Sequence, residues 1–84
     1  MLNHLALSES GFLFDTRSGK TYSLSSTGTY LLRKLLDGCS IDSLPERLCQ
    51  HYEVDQDTAR RDCAQFVFRM RDLGLLETEA RHRG

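Results

Sequence analysis

An α+β fold is predicted, with an N-terminal antiparallel sheet of two or three strands followed by three α-helices. Three observations carry that prediction. Phe12 and Phe14 alternate with Leu13, and Tyr22 and Leu24 alternate with Thr21 and Ser23; a period of two marks half-buried strands. Between the two runs, Asp15-Thr16-Arg17-Ser18-Gly19 supplies turn formers, with Gly19 free to take a positive φ. From Ser25 onward the apolar residues recur at helical spacing instead. The alternation places Phe12, Phe14, Tyr22 and Leu24 together on one face of a half-buried sheet.

The helices follow from caps and apolar stripes. Ser25 or Ser26 caps the first helix, accepting hydrogen bonds from the free amides of its first turn. Leu31, Leu32, Leu35 and Leu36 form its apolar stripe, and Gly38 ends it in the left-handed conformation. A second helix starts at Ser40 or Ser43. Ser43-Leu44-Pro45-Glu46 fits a capping box, and Pro45 is tolerated in a first turn. Leu44, Leu48 and Tyr52 share its buried face. Asp55 or Asp57 caps a third helix running from about Gln56 to Leu73. At ~100° per residue, Ala59, Cys63, Phe66, Met70 and Leu73 fall on one face, with Val67 beside them. Arg60, Ala64 and Arg71 form the next flank. Gly74 stops the helix, and Leu75-Leu76 packs or pairs with the sheet. Residues 1–76 thus form one domain, and the polar residues 77–84 are expected to fray.

Composition narrows the function. A chain of 84 residues buries only roughly 60–65% of its unfolded surface, which leaves little room for an enclosed substrate cavity. The net charge of −1 argues against nucleic acid, whose binders carry a basic excess. No apolar run approaches a membrane span, and the N-terminus lacks a signal-peptide pattern. Cys39, Cys49 and Cys63 are odd in number and widely spaced, as in a reducing, cytoplasmic setting. Zinc sites use close ligand pairs, and only Cys49 and His51 are close; no metal or other cofactor is expected. His4, His51 and His82 are scattered, there is no Gly-rich phosphate loop, and the acidic residues are dispersed. The chain is read as a non-enzyme.

Three short helices with a small sheet read as a winged helix-turn-helix-like fold. The ordered series Phe14-Asp15, Gly19-Lys20, Tyr22-Ser23-Leu24-Ser25, Gly28, Leu32, Leu35-Leu36-Asp37-Gly38, Leu44, Leu48, Tyr52-Glu53-Val54, Ala59, Asp62-Cys63, Phe66, Met70 and Gly74-Leu75-Leu76 resembles the PqqD family over residues 5–76. Its compact loop between the second and third strands is similar to the PqqD-like members found beside HPr-kinase-related genes, more than to those of pyrroloquinoline quinone biosynthesis.

The resemblance implies a peptide chaperone, or RiPP recognition element. Such a protein binds the leader of a ribosomally made precursor and presents it to a modifying enzyme, a radical SAM protein in the quinone pathway. It also implies that the leader adds as a strand to the sheet edge and lies against the third helix. On these residues, Lys20, Thr21, Tyr22, Ser23 and Leu24 form the edge strand, offering unpaired backbone groups. Cys63 and Val67 line an apolar floor, while Arg60, Ala64 and Arg71 form its flank, the arginines pairing with acidic leader residues. The plain alternatives stand beside this reading. Cys63 and Val67 also suit a core, Arg60 and Arg71 a solvated surface, and Tyr22 a sheet-face core position. Phe68 points away from the core stripe and suits a contact with an enzyme or a second copy. A winged-helix DNA regulator, supported by Arg60, Arg61, Arg69 and Arg71, and a docking subunit of a larger enzyme are the rival functions. An open edge strand also allows homodimerisation.

Overall fold

The structure, a computed structural model, describes residues 4–76; the expected polar tail at 77–84 lies outside them. Three strands, β1 (Leu5–Leu7), β2 (Phe12–Asp15) and β3 (Thr21–Ser23), form an antiparallel meander in the order β1-β2-β3. Helix α1 (Ser26–Leu36) follows, then a 3-10 turn (Ile41–Ser43), α2 (Leu44–His51) and α3 (Gln56–Asp72). The expected strand and helix order is present.

The face of the sheet that meets the helices is set by Leu13, which is fully buried on the central strand. Leu13 lies opposite Leu7 on β1 and Tyr22 on β3, so these side chains share the inner face with Leu5, Asp15 and Leu24. Phe12 lies opposite Ser23 and Phe14 opposite Thr21, and both rings stand on the outer face. This corrects the sequence expectation that Phe12 and Phe14 share one face of the sheet with Tyr22 and Leu24. The period of two holds within each strand, but the inner position on β2 belongs to Leu13.

The β2–β3 turn is organised by Asp15. One carboxylate oxygen accepts the Arg17 amide at 2.9 Å and the other accepts the Ser18 hydroxyl at 3.0 Å. Burial alone would raise its pKa, but these hydrogen bonds and the nearby His4 outweigh burial and hold the carboxyl below its ordinary value of 3.8. Gly11 prepares the start of β2 in the left-handed region, at φ +94°. A Cβ there would lie 3.0 Å from the Leu24 carbonyl oxygen and 3.1 Å from Thr29 Oγ1, so both conformation and space require glycine.

The core lies between the sheet and the three helices. Leu13, Leu31, Leu32, Leu44, Leu48 and Met70 are its fully buried large residues, drawn from β2 and each helix. Ser25 caps α1, its hydroxyl accepting the Gly28 amide at 3.1 Å. The capping box expected at Ser43 does not form. The 3-10 turn runs straight into α2, so Ser43 is itself helical (φ −84°, ψ −10°). Its hydroxyl donates to the Ser40 carbonyl instead, at 2.7 Å. Tyr30 of α1 stacks on His51 with centroids 4.2 Å apart and donates its hydroxyl to the Arg47 carbonyl at 3.2 Å. Tyr52 meets both rings edge-on, which locks the end of α2 onto α1. Asp55 takes the N-cap position of α3. Leu73, expected on the buried face, is exposed at the helix end, where Gly74 (φ +77°) turns the chain and buries Leu75 and Leu76.

Two outcomes are expected. Gly11→Ala lowers stability by about 1–3 kcal/mol in urea unfolding; an unchanged midpoint and slope would show that the turn tolerates a side chain. Asp15 has a depressed folded pKa, so its contribution is complete above 3.8 and is lost as pH falls through the folded value. Asp15→Asn therefore flattens the acid limb of the stability–pH curve, and an acid limb of unaltered slope would remove Asp15 as its source.

Candidate functional site

The site begins with backbone parity at β3. Leu24 donates its amide to the Gly11 carbonyl at 2.8 Å, and the Asp15 amide donates to the Lys20 carbonyl at 2.9 Å. Residues 20, 22 and 24 therefore direct their backbone groups at β2. In an antiparallel ladder the intervening residues face the other way, so the N–H and C=O of Thr21 and Ser23 point out along the sheet edge. Among the described residues, β3 is a terminal strand of the sheet. Its side chains are short where the edge is open: Thr21 and Ser23 are exposed and Tyr22 is half-buried.

A groove of about 370 Å³ runs beside this edge, between β3, the start of α1 and one flank of α3. Leu24, Leu31, Phe66 and Met70 supply its apolar surfaces, and Asp62, Gln65 and Arg69 supply polar groups from α3. Gly28 keeps it open. A Cβ at Gly28 would lie 3.8 Å from the Phe66 ring and 3.7 Å from Leu24 Cβ, so any longer side chain projects into the space between them.

The structure divides the sequence-predicted residues between two places. Thr21, Tyr22 and Ser23 form the edge strand, with Lys20 and Leu24 at its ends, and Ser23 and Leu24 line the groove. Arg60, Cys63, Ala64, Val67 and Arg71 lie on the opposite flank of α3. There they line a second, more apolar groove of about 590 Å³ with Ile41, Asp42, Pro45 and Phe68. The structure does not bring them to β3. The reason is the helix period: Cys63 and Val67 lean toward α2, whereas Phe66 and Met70 lean toward β3. Sequence reasoning missed Asp62, Gln65 and Arg69, which sit at i−4, i−1 and i+3 from Phe66. Phe66 was available as the centre of that flank. Gly28 in a helical first turn was a signal of close approach.

The division also separates the arginines of α3. Arg69 lines the groove beside β3, as Asp62 does, while Arg60 and Arg71 line the other. The shared basic surface that phosphate neutralisation requires is split by the helix.

Cys63, on the flank that lines the second groove, is buried. Burial pushes its thiol up to about 11, and the Asp62 carboxylate and Cys49 add to the shift. The neutral thiol is a packing group, since the thiolate is the reactive form. In native protein at pH 8, iodoacetamide should modify the half-buried Cys39 and Cys49 well before Cys63, with all three reacting together in denaturant. Equal rates in the native state, read by peptide mass spectrometry, would refute this protection.

An open sheet edge running beside a helix-walled groove defines a domain able to hold an extended chain by strand addition. The chain belongs to the PqqD family, described as coenzyme PQQ synthesis protein D, whose model matches residues 11–76. Among solved structures it is similar to lasso peptide synthetase B1 complexed with the leader peptide, at 34% identity over 83% of this chain and 84% of that one, with a TM-score of 0.68. It also shares its fold with TbiB1 in complex with the TbiA(beta) leader peptide, at 24% identity over 87% of this chain and 86% of that one, with a TM-score of 0.76. No curated protein matches the chain significantly in sequence.

Proposed function

We propose that this protein is a leader-peptide recognition element that holds a ribosomally made precursor on β3 and presents it to a modifying enzyme. The observation that carries the reading is the pairing of the outward N–H and C=O groups of Thr21 and Ser23 with the adjoining groove. A leader laid antiparallel to β3 forms its hydrogen-bonded pairs with Thr21 and Ser23. Its residue opposite Tyr22 then faces inward, over the groove formed by Leu24, Leu31, Phe66 and Met70. Arg69 and Asp62 at the groove wall select the charge of neighbouring leader side chains. Exposed pairs of this kind contribute about 0.2–1 kcal/mol each, so they tune register, while a buried apolar side chain at roughly 1.5–3 kcal/mol carries more of the affinity. The PqqD membership and the 34% likeness to a leader-bound lasso peptide synthetase B1 support this role and favour a precursor of the lasso kind over the quinone precursor. The domain itself supplies recognition, and the chemistry belongs to the enzyme it serves.

The test is an NMR titration of the 15N-labelled chain with the synthetic leader of any short precursor encoded beside its gene. Saturable shifts at Thr21–Ser23 and along Asp62–Met70 are expected. Gly28→Leu, which fills the groove from a helical position with ordinary backbone geometry, should weaken binding by roughly tenfold or more while amide dispersion is retained. Leader binding of unchanged affinity in Gly28→Leu would show that the peptide lies elsewhere, with the second groove on α3 as the next place to map.

A further inference from the structure

The outer face of the sheet departs from the usual pattern of an antiparallel sheet, in which the solvent side is polar. The central strand carries two large aromatic rings there, Phe12 and Phe14, exposed to 54% and 43%. Their neighbours on that face are small. Phe14 sits between Ala6 and Thr21, and Phe12 lies beside Ser23. The rings therefore form a raised apolar ridge, with a low shelf of Thr21 and Ser23 between the ridge and the open edge.

Ladder parity says what reaches that shelf. Thr21 and Ser23 point both their free backbone groups at the edge and their side chains at the outer face. A strand added antiparallel to β3 is hydrogen-bonded to these two residues, and directly opposed residues project to the same face. The added strand thus places its residues opposite Thr21 and Ser23 on the outer face, alternating with the one that enters the groove. Strands lie ~4.8 Å apart, so these side chains stand roughly 10 Å from β2, across residues too short to fill the gap. Aromatic and long side chains on a sheet face reach across about 7–8 Å, so a large leader side chain and a phenylalanine of β2 that lean toward each other meet over the shelf.

We infer that Phe12 and Phe14 form a second specificity surface for the same bound peptide, receiving large apolar or aromatic side chains at its outward-facing positions. The inference rests on the strand-addition reading and deepens it by naming the substrate class. The leader segment on β3 is apolar on both faces, with one set of alternate residues in the groove and the other over the phenylalanines. A leader with an apolar face and a polar face would fill only the groove.

The experiment is a serine scan of the synthetic leader that binds in that titration. Affinities are measured by fluorescence anisotropy against the wild-type chain and against the Phe12→Thr/Phe14→Thr variant. Threonine is a strand former and both positions are exposed, so the variant should keep its amide dispersion; wild-type protein against the scanned leaders gives an independent reading if it does not. The expected result is a loss of about tenfold or more for the variant with wild-type leader, with shifts at Thr21 and Ser23 still reached at saturation. Serine at two alternate leader positions should weaken binding to wild type and have little further effect in the variant. Unchanged leader affinity in the variant overturns the inference. Slower precursor modification alongside it would assign the ridge to the enzyme, and a concentration-dependent elution shift lost in the variant would assign it to a second copy. Absence of any wild-type shift at β3 overturns strand addition itself, and this inference with it.

Discussion

Leu13 occupies the central position of the central strand with no exposed surface, directly opposite Tyr22, and the rest of the recognition geometry depends on that placement. A strand has two faces and a ladder has two edges, so fixing one residue fixes the parity of all its neighbours. With Leu13 inward, Phe12 and Phe14 must be outward. Because residues 11, 13 and 15 pair toward β3, Thr21 and Ser23 must present their backbone groups to the open edge. A slip of β2 by one residue would bury two aromatic rings and expose Leu13. The buried leucine thus determines both which atoms a peptide meets and which side chains flank it.

Helix α3 extends this economy. Its buried line of Ala59, Cys63, Phe66, Val67 and Met70 anchors it to the core along its length, and each flank is left to wall a separate groove. The side facing β3 mixes apolar floor with Asp62, Gln65 and Arg69; the side facing the 3-10 turn is mostly apolar, with Arg60, Arg71 and Asp42 among its lining residues. A domain of this size has too little interior to enclose a ligand. It can still hold one where two elements diverge at its surface, provided the elements themselves are rigid. The Tyr30–His51–Tyr52 cluster and the capped start of α1 supply that rigidity around the groove.

Much of this was legible in the sequence, and the failures have definite causes. Strand and helix order, the Ser25 cap, the Gly38 stop and the buried leucines of α1 follow from local signals that no tertiary contact overrides. The face of β2 did not, because FLFD alternates between two sets of apolar residues and period alone cannot say which set is inward. Asp15 made the choice harder still, since its burial depends on turn hydrogen bonds with Arg17 and Ser18 that are invisible to hydropathy. The edge residues Thr21, Tyr22 and Ser23 were identifiable from the meander alone. The flank of α3 was not, because Cys63 and Phe66 are equally apolar and the helix's rotation about its axis is set by packing against α2 and α1. Leu73 failed for a third reason: helical periodicity was extended one residue past the point where Gly74 redirects the chain.

The short length of β3 decides how recognition must be shared between backbone and side chains. Thr21 and Ser23 each offer one N–H and one C=O, and a net gain of about 0.5–1.5 kcal/mol per hydrogen bond is comparable in sum to the roughly 2–5 kcal/mol needed to order a disordered segment on binding. Backbone pairing therefore sets direction and register without securing the peptide by itself. An edge this short, with Lys20 beside one end and the α1 cap at the other, is also a poor template for sheet-to-sheet growth. The same feature that prevents aggregation obliges the bound segment to be held by its side chains. That is the physical reason to look for binding energy in the groove beneath the added strand and on the phenylalanine ridge above it.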